Sequence, residues 1–314
     1  MKVKIETKDL KRYFQTPGGT LHAVDGVSLR IYEKQTLGVV GESGCGKSTL
    51  GRLIVKLLNN TEGSIYFEGR DITNMNRQEL KSLRWNMQMI FQDPYSSVNP
   101  RMTVSQIIAE PLKIQKKLSK EEIGMRVDSL MDTVGLDARY RMTYPHELDG
   151  GRRQRISIAR ALALNPSFIV CDEPVSALDV SIQAQILNLL KDLQDQFGTT
   201  FLFISHNLAV VKYISHAVMV MYLGVSVEYC STEELFSNPL HPYTKALLSA
   251  IPVADIHHQK KEIAIKGELT SPINPPPGCR FAPRCRYVTE KCFQETPAAT
   301  EIKQGHFVAC HLYT

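Results

Sequence analysis

A glycine-rich segment with one lysine and two hydroxyl side chains carries the clearest chemical signal in the sequence. Residues 41–49 fit the pattern G-x-x-x-x-G-K-[ST], in which glycines let backbone N–H groups turn around a phosphate at the start of a helix. Lys47 is expected to reach the β- and γ-phosphates of a nucleotide, and Ser48 to give its hydroxyl to Mg²⁺. The predicted nucleotide-binding residues are Gly41, Glu42, Ser43, Gly44, Cys45, Gly46, Lys47, Ser48 and Thr49.

Two adjacent carboxylates, Asp172 and Glu173, follow an apolar run at residues 168–171. Asp172 is placed to hold Mg²⁺ through its hydration shell, and Glu173 to polarise the attacking water as a general base. His206 follows the next apolar run and is expected to contact the γ-phosphate. Gln92 follows an earlier strand and is expected to sense Mg²⁺ and the water. Together these residues predict hydrolysis of a nucleoside triphosphate.

The hydrophobic pattern indicates which elements position these side chains. Continuous apolar runs, typical of strands buried on both faces of a parallel sheet, occupy residues 36–40, 168–171, 201–204 and 218–221. Alternating patterns, typical of half-buried antiparallel strands, occupy residues 3–7, 23–32 and 64–67. One helical face predicts a crossover helix with Ile182, Ile186, Leu189, Leu190 and Leu193. The fold class is therefore α/β.

The chain changes character near residue 237, where prolines become frequent and helical patterning fades. We expect a nucleotide-binding domain at residues 1–237, with a helical subdomain at about residues 95–165, and a C-terminal extension at residues 238–314. A capping box at Ser119–Glu122 predicts that a helix begins there and that it ends at Gly135.

Composition restricts the class of protein. No stretch approaches the roughly 18–20 uncharged apolar residues that a membrane-spanning helix requires, and the charged N-terminus lacks the apolar core of a signal peptide. We therefore expect a cytoplasmic protein whose role at a membrane comes through partners. The net charge of +5 is spread along the chain, so no nucleic-acid partner is expected.

Four cysteines crowd into the last part of the chain: Cys279, Cys285, Cys292 and Cys310. Disulfides are disfavoured in the cytoplasm, so a metal site is favoured. Structural zinc usually has paired C-x2–4-C knuckles, which this spacing lacks, whereas an iron–sulfur cluster held by four thiolates tolerates irregular spacing. We therefore favour an iron–sulfur cluster and keep a Zn²⁺ site as the alternative.

The motifs of residues 1–235 resemble, in order, those of ABC ATPases. The resemblance implies that Gln92 is the Q-loop, Leu148–Arg152 the signature motif, Ser176–Asp179 the D-loop and His206 the switch histidine. It also implies an ABC-type P-loop fold with a parallel core sheet, an antiparallel β subdomain and a helical subdomain, together with ATP and Mg²⁺ as ligands. The aromatic residue that stacks on adenine falls at Phe14 or, as the alternative, at Tyr13.

The tail resembles the C-terminal extension of the oligopeptide/dipeptide (peptide/nickel) importer subunits, in residues 239–248 and 276–285. The resemblance implies a [4Fe–4S] cluster on the four cysteines and a peripheral position at the cytoplasmic face of the cell membrane. It implies as partners a second ABC ATPase subunit, two transmembrane permease subunits, which residues 92–102 would contact, and an extracytoplasmic solute-binding protein. Peptides are the expected cargo. Import of oligosaccharides or nickel, or a soluble non-transport ABC ATPase, are the alternatives.

The signature motif departs from the family pattern Leu-Ser-Gly-Gly-Gln, because it reads Leu148-Asp149-Gly150-Gly151-Arg152. In the family this motif closes over the ATP of the other subunit, and the serine donates to the γ-phosphate. An ionised Asp149 cannot donate, and a like-charge contact at about 4 Å costs roughly 4 kcal/mol at an effective dielectric constant near 20. Arg152 or Arg153 can offset this charge, or Asp149 can cap the following helix. We therefore expect a heterodimer with one degenerate ATP site.

Overall fold

The computed structural model describes residues 2–93, 95, 97–251, 265, 267 and 271–313. They fall into two compact units. The first unit comprises residues 1–2, 32–35 and 75–204, and the second comprises residues 3–31, 36–74 and 205–314.

The strands and helices follow in chain order. The strands are β1 (Val3–Thr16), β2 (Gly19–Tyr32), β3 (Thr36–Val40), β4 (Glu62–Phe67), β5 (Arg70–Asp71), β6 (Met87–Ile90), β7 (Phe168–Asp172), β8 (Thr200–Ile204), β9 (Ala217–Tyr222), β10 (Val225–Ser231), β11 (Thr300–Lys303) and β12 (His306–Val308). The helices are α1 (Lys47–Ile54), α2 (Arg77–Asn86), α3 (Val104–Gln115), α4 (Lys120–Thr133), α5 (Gly150–Leu162), α6 (Val180–Phe197), α7 (Leu208–Ile214), α8 (Thr232–Ser237), α9 (Pro242–Ser249) and α10 (Lys291–Gln294). Short 3₁₀ turns lie at Ala138–Met142, Pro145–Glu147 and Ala282–Arg284.

The first unit contains three adjacent parallel strands, β6, β7 and β8. Every residue of β7 and β8 is buried, which confirms the prediction made from their continuous apolar runs. Helices α3, α4 and α5 pack on one another. The capping box at Ser119 is present, and α4 buries Val127, Leu130 and Met131. Helix α6 buries Ile186, Leu190 and Leu193 of the predicted apolar face, whereas Ile182 and Leu189 are only half-buried.

The second unit contains two sheets. One has the order β2-β1-β4-β5, with β4 antiparallel to β1. In the other, β3 pairs in parallel with β9, and β10, β12 and β11 follow outward from β9 in antiparallel pairs. The first strand runs to Thr16, beyond the predicted residues 3–7, and its pairing with β4 continues to Lys11.

The tail contributes strands to the second sheet, which sequence patterning did not predict. In the register of β10 and β12, Glu228 is opposite Val308 and Tyr229 is opposite Phe307. Residues on both sides of position 238 therefore share one compact unit, and the domain limits 1–237 and 238–314 stay a prediction. Among the helices of the described ranges, none combines the length and the apolar character that crossing a bilayer requires.

Candidate functional site

The glycine-rich segment forms a tight loop that leaves β3 and enters α1. Gly46 caps α1 in the left-handed conformation, with φ 101°. A Cβ atom at this position would lie 2.0 Å from the carbonyl oxygen of Ala23, and one at Gly41 would lie 2.2 Å from that of Met221. Such distances exclude any side chain, so the glycines are required by close backbone packing as well as by the turn.

The ammonium group of Lys47 lies inside this loop and is almost fully buried. Its Nζ donates to the carbonyl oxygens of Gly41 and Glu42, each at 2.9 Å, and lies 3.8 Å from Cys45 Sγ. Burial raises the pKa of the Cys45 thiol, so this cysteine is a packing residue at neutral pH rather than a nucleophile. Ser43 and Gly44 are exposed, and Ser48 and Thr49 are half-buried in the first turn of α1.

Both candidates for the adenine-stacking aromatic lie on β1 in the second unit. The hydroxyl of Tyr13 donates to Asp25 Oδ1 at 2.5 Å, and its ring lies 4.1 Å from that of His22. Burial, with the hydrogen bond to Asp25, raises the pKa of Tyr13 to about 12. The Arg12 guanidinium lies 4.4 Å from the ring of Phe14, which stays the predicted adenine partner with Tyr13 as the alternative.

His206 also belongs to the second unit and is exposed. It lies on the short loop that precedes α7, between two residues that fix the backbone. Ser205 Oγ accepts from the Asn207 N–H at 3.0 Å, and Asn207 caps α7 by accepting from the N–H groups of Ala209 and Val210. The loop therefore presents the His206 ring from a fixed backbone.

In the first unit the structure brings Gln92 and Glu173 together. Gln92 Nε2 donates to Glu173 Oε2 at 3.0 Å. Glu173 follows the buried Asp172 at the end of β7 and has a positive φ of 46°, held by its N–H donating to the carbonyl of Ile204 at 3.0 Å. A left-handed conformation at a non-glycine residue costs about 1–3 kcal/mol and is concentrated at functional sites. This backbone feature, which points to the same residue as the carboxylate pattern, was not visible in the sequence.

The signature segment opens helix α5 of the first unit. Asp149 is its N-cap, with Oδ1 accepting from the Arg152 N–H at 2.8 Å. The Arg152 guanidinium also pairs with Oδ2 of Asp149. Arg153 points elsewhere, because its Nε donates to the carbonyl of Pro145 at 2.5 Å. Of the alternatives raised by the sequence, capping by Asp149 and pairing with one of the two arginines, Arg152, are both present.

Gly150 and Gly151 form the first turn of α5, where a Cβ at Gly151 would lie 2.8 Å from Ile182 Cγ2. Asp179 of the D-loop caps α6 and accepts from the Ile182 N–H at 3.0 Å and from Ser181 Oγ at 2.7 Å. The hydrogen bond from the Ile182 N–H lowers the pKa of Asp179, which is therefore ionised at neutral pH.

The four tail cysteines line one small cavity in the second unit. The N–H of Tyr287 donates to Cys285 Sγ at 3.4 Å, and the Thr289 hydroxyl lies 3.4 Å from Cys292 Sγ. The Cys279 N–H donates to the carbonyl of Cys292 at 2.7 Å. Burial raises the pKa of Cys279 to about 11. The four thiols therefore share one cavity, and the sulfur of Cys285 accepts a backbone hydrogen bond.

A second buried group, which sequence reasoning missed, consists of Glu228, Cys230 and His306. His306 Nε2 lies 2.8 Å from Glu228 Oε1, and the two carboxylate oxygens of Glu228 accept from the N–H groups of Leu240 and His241. These hydrogen bonds join β10, β12 and the start of α9, so the group fastens the tail within the second unit.

Comparisons with known proteins agree with this arrangement. The family described as ABC transporter matches residues 24–176, and the one described as oligopeptide/dipeptide transporter, C-terminal region, matches residues 227–292. The oligopeptide transport ATP-binding protein AppF of Bacillus subtilis is 50% identical over 320 residues, which cover 99% of this chain and 97% of that protein. OppF of Salmonella typhimurium is 52% identical over 313 residues, covering 99% and 93%.

Solved structures give the same fold. The dimeric structure of MJ0796, described as a bacterial ABC transporter cassette, is 28% identical with a TM-score of 0.67, covering 73% of this chain and 98% of that chain. CbiO1 from Clostridium perfringens, described as part of the complex cbiONQ, has a TM-score of 0.68 at 26% identity and covers 76% and 92%. With matched P-loop and mixed-sheet architecture and relatives near 50% identity over almost its whole length, the chain is an ABC ATPase and belongs to the oligopeptide/dipeptide transport ATP-binding protein family.

Proposed function

We propose that this chain binds and hydrolyses ATP to power an ABC importer of oligopeptides or dipeptides. The observation that carries the proposal is the hydrogen bond between Gln92 and Glu173, in a chain whose relatives are named as oligopeptide transport ATP-binding proteins. Its partners are two transmembrane permease subunits and an extracytoplasmic solute-binding protein. The chain acts at the cytoplasmic face of the membrane, as a peripheral subunit.

The residues divide the chemistry among them. The loop at residues 41–49 holds the phosphates of ATP through its N–H groups and Lys47, and Phe14 stacks on adenine. Ser48, Gln92 and Asp172 supply oxygen ligands, directly or through water, of the hard type that Mg²⁺ prefers. When bound, Mg²⁺ neutralises part of the phosphate charge.

The carboxylate of Glu173 acts as the general base for the attacking water. The Gln92 amide donates to one of its oxygens at 3.0 Å and so orients the carboxylate. The hydrogen bond from the Glu173 N–H to the Ile204 carbonyl fixes the backbone from which this side chain extends. His206 contacts the γ-phosphate from the loop before α7, whose backbone is fixed by the Asn207 cap.

The motor is a heterodimer with one degenerate ATP site. The support is Asp149, whose carboxylate is committed to the cap of α5 and to Arg152. In this geometry Asp149, Gly150 and Gly151 present a capped helix end to the partner's ATP, but no hydroxyl donor. The ATP held by this chain's own loop meets the partner's signature and is the one that is hydrolysed.

The C-terminal extension, residues 238–314, binds a [4Fe–4S] cluster through Cys279, Cys285, Cys292 and Cys310, in a structural role. The common cavity and the N–H donor to Cys285 support this ligand set, since hydrogen bonds to sulfur stabilise thiolates in such sites. Zn²⁺ on the same four thiols is the alternative. Anaerobic purification distinguishes the two: a brown protein with about four irons per chain is expected from the cluster stoichiometry, and a colourless protein with one zinc contradicts it.

The permease contact lies in residues 92–102, of which Pro94 and Ser96 are outside the described residues. Tyr95 is 59% exposed, and the Arg153 guanidinium lies 3.6 Å from the centre of its ring. Tyrosine and arginine are enriched among the residues that carry most of the binding energy in protein interfaces. Tyr95→Ala is expected to weaken co-purification with the permease subunits and leave ATP binding unchanged. Unchanged co-purification would contradict this assignment.

The function is tested in proteoliposomes that hold the chain with the permease and ATPase subunits that travel with it. ATP hydrolysis is expected to be stimulated by the loaded solute-binding protein and to drive peptide accumulation. Stimulation by oligosaccharide or nickel instead of peptide would show that one of these is the transported solute. Salt-sensitive nucleic-acid binding would point to a non-transport ABC ATPase.

A further inference from the structure

A short tail segment, residues 279–285, carries two arginines whose side chains contact the candidate nucleotide-binding region of the second unit. Arg280 follows Cys279 and Arg284 precedes Cys285. Their side chains are only 9% and 10% exposed, which is unusual for arginine unless it is paired. Each therefore links a cysteine of the metal-ligand set to a feature outside the tail.

Arg284 contacts the glycine-rich loop itself. Its Nη1 lies 2.8 Å from Glu42 Oε2 and 3.3 Å from the hydroxyl of Tyr222. The main chain of Glu42 is engaged as well, because its N–H donates to the Tyr243 hydroxyl at 2.9 Å and its carbonyl accepts from Lys47 Nζ. One residue of the loop is thus held at its carboxylate, its N–H and its carbonyl.

An aromatic cluster supports these contacts. Phe281 is buried and its ring lies 5.2 Å from that of Tyr222 and 5.4 Å from that of Tyr243. Both tyrosines are fully buried, so the hydroxyls that meet Arg284 and Glu42 are fixed by packing. The segment between Cys279 and Cys285 therefore forms one side of the packing that sets the loop.

Arg280 makes a parallel connection to the candidate adenine region. Its guanidinium pairs with Asp25 and donates to the carbonyl of Leu223. Asp25 in turn accepts from Tyr13 and lies 3.0 Å from His22 Nδ1. Burial alone would raise the pKa of Asp25, but the hydrogen bonds from Tyr13 and His22 and the charge of Arg280 hold it below its ordinary value.

We propose that Arg284 is a positioning residue for ATP binding, which holds and neutralises the carboxylate of Glu42 beside the phosphate-binding loop. Without this partner, the Glu42 carboxylate adds negative charge next to the anionic phosphates. The proposal rests on ATP binding by residues 41–49 and is independent of which metal the cysteines hold.

The test is equilibrium binding of magnesium adenylyl imidodiphosphate to the full chain, measured by calorimetry. Arg284→Ala is expected to bind about five- to tenfold more weakly. This is less than the full contribution of one charge-assisted hydrogen bond, because Arg284 acts on the nucleotide only through Glu42. Arg286→Ala is the matched control, since Arg286 flanks Cys285 on its other side but is exposed and lies over the ring of Tyr287. This control is expected to bind like the unmodified chain.

Rescue separates positioning from a general structural role. Adding Glu42→Gln to Arg284→Ala removes the unpaired carboxylate, so affinity is expected to return to within about twofold of the unmodified chain, as coupled residues behave in a double-mutant cycle. Arg284→Lys, which keeps the charge, is expected to retain most of the affinity. If Arg284→Ala does not fold, as judged by its thermal transition without nucleotide, Arg284→Gln carries the same test.

Equal affinity of Arg284→Ala and the unmodified chain would overturn the proposal, as would weakened binding that Glu42→Gln does not restore. The unmodified chain serves as the reference for function: if it fails to bind the nucleotide at all, ATP binding by this chain is refuted rather than the role of Arg284.

Discussion

Replacing Asp149 tests whether this signature impairs the ATP site that it faces. The informative changes are Asp149→Ser, which restores the family's hydroxyl, and Asp149→Asn, which removes the charge while keeping the shape. Asp149 is 55% exposed and Arg152 is 42% exposed, so their ion pair contributes about 0–1 kcal/mol to stability. Asn and Ser cap helices about as well as Asp. Both variants should therefore unfold with a free energy within about 0.5 kcal/mol of the unmodified chain.

The effect on catalysis is larger. A unit charge about 4 Å from the γ-phosphate costs roughly 1 kcal/mol in water and 4 kcal/mol at an effective dielectric constant near 20. With Asp149 half-exposed and paired with Arg152, we place the cost at about 1–2 kcal/mol, which corresponds to roughly a five- to thirtyfold change in rate. When this chain is assayed alone, any dimer carries the aspartate at both sites. Its ATP turnover is then expected to be low and to rise by that factor in both variants.

The control is Asp137→Asn in the same unit. Asp137 is 56% exposed, caps a short turn by accepting from the Arg139 N–H at 2.9 Å, and pairs with the Arg139 guanidinium at 3.5 Å. Its replacement should leave turnover unchanged. The reasoning is refuted if the unmodified chain alone hydrolyses ATP rapidly and Asp149→Ser does not change that rate.

Two further predictions concern the loop and its surroundings. Gly46→Ala should abolish nucleotide binding and lower the free energy of unfolding by more than about 2 kcal/mol, because its Cβ would lie 2.0 Å from the Ala23 carbonyl oxygen. The control is Gly69→Ala, at a position with a positive φ but open space around it, which should cost only about 1 kcal/mol. Equal losses for the two variants in urea unfolding would contradict this prediction. For Asp25, whose pKa is lowered from its ordinary 3.8 in the fold, the stabilisation is present above pH 4 and is lost as pH falls through the folded pKa. Unfolding free energies at pH 5 and pH 3 should therefore differ less in Asp25→Asn than in the unmodified chain; an equal difference would argue against this role.

Much of the fold was predictable because the decisive signals are local. The apolar runs that became β3, β7 and β8, and the capping box of α4, depend on neighbouring residues alone. The tail strand β12 was missed, because its pairing with β10 joins distant segments and three residues carry no periodic signal.

The candidate site shows the same division. Motif spacing predicted Glu173 and Gln92, yet not their hydrogen bond, since 81 positions separate them. The pairing of Arg284 with Glu42 spans 242 positions, and nothing in the composition of the tail indicates it. Asp149 is an intermediate case. Helix-capping rules predicted its role as the cap of α5 as one of a few options, and its hydrogen bond with the Arg152 N–H realises that option.

ATP held by this chain is expected to be hydrolysed with Glu173 as the general base, and this hydrolysis is expected to power uptake. The direct measurement compares the reconstituted importer with its Glu173→Gln form for ATP binding, ATP turnover and peptide uptake. The Glu173→Gln form is expected to retain ATP binding and to lose turnover and uptake by at least about a hundredfold, the scale expected for loss of a general base. Turnover and uptake that persist in the Glu173→Gln importer would contradict it.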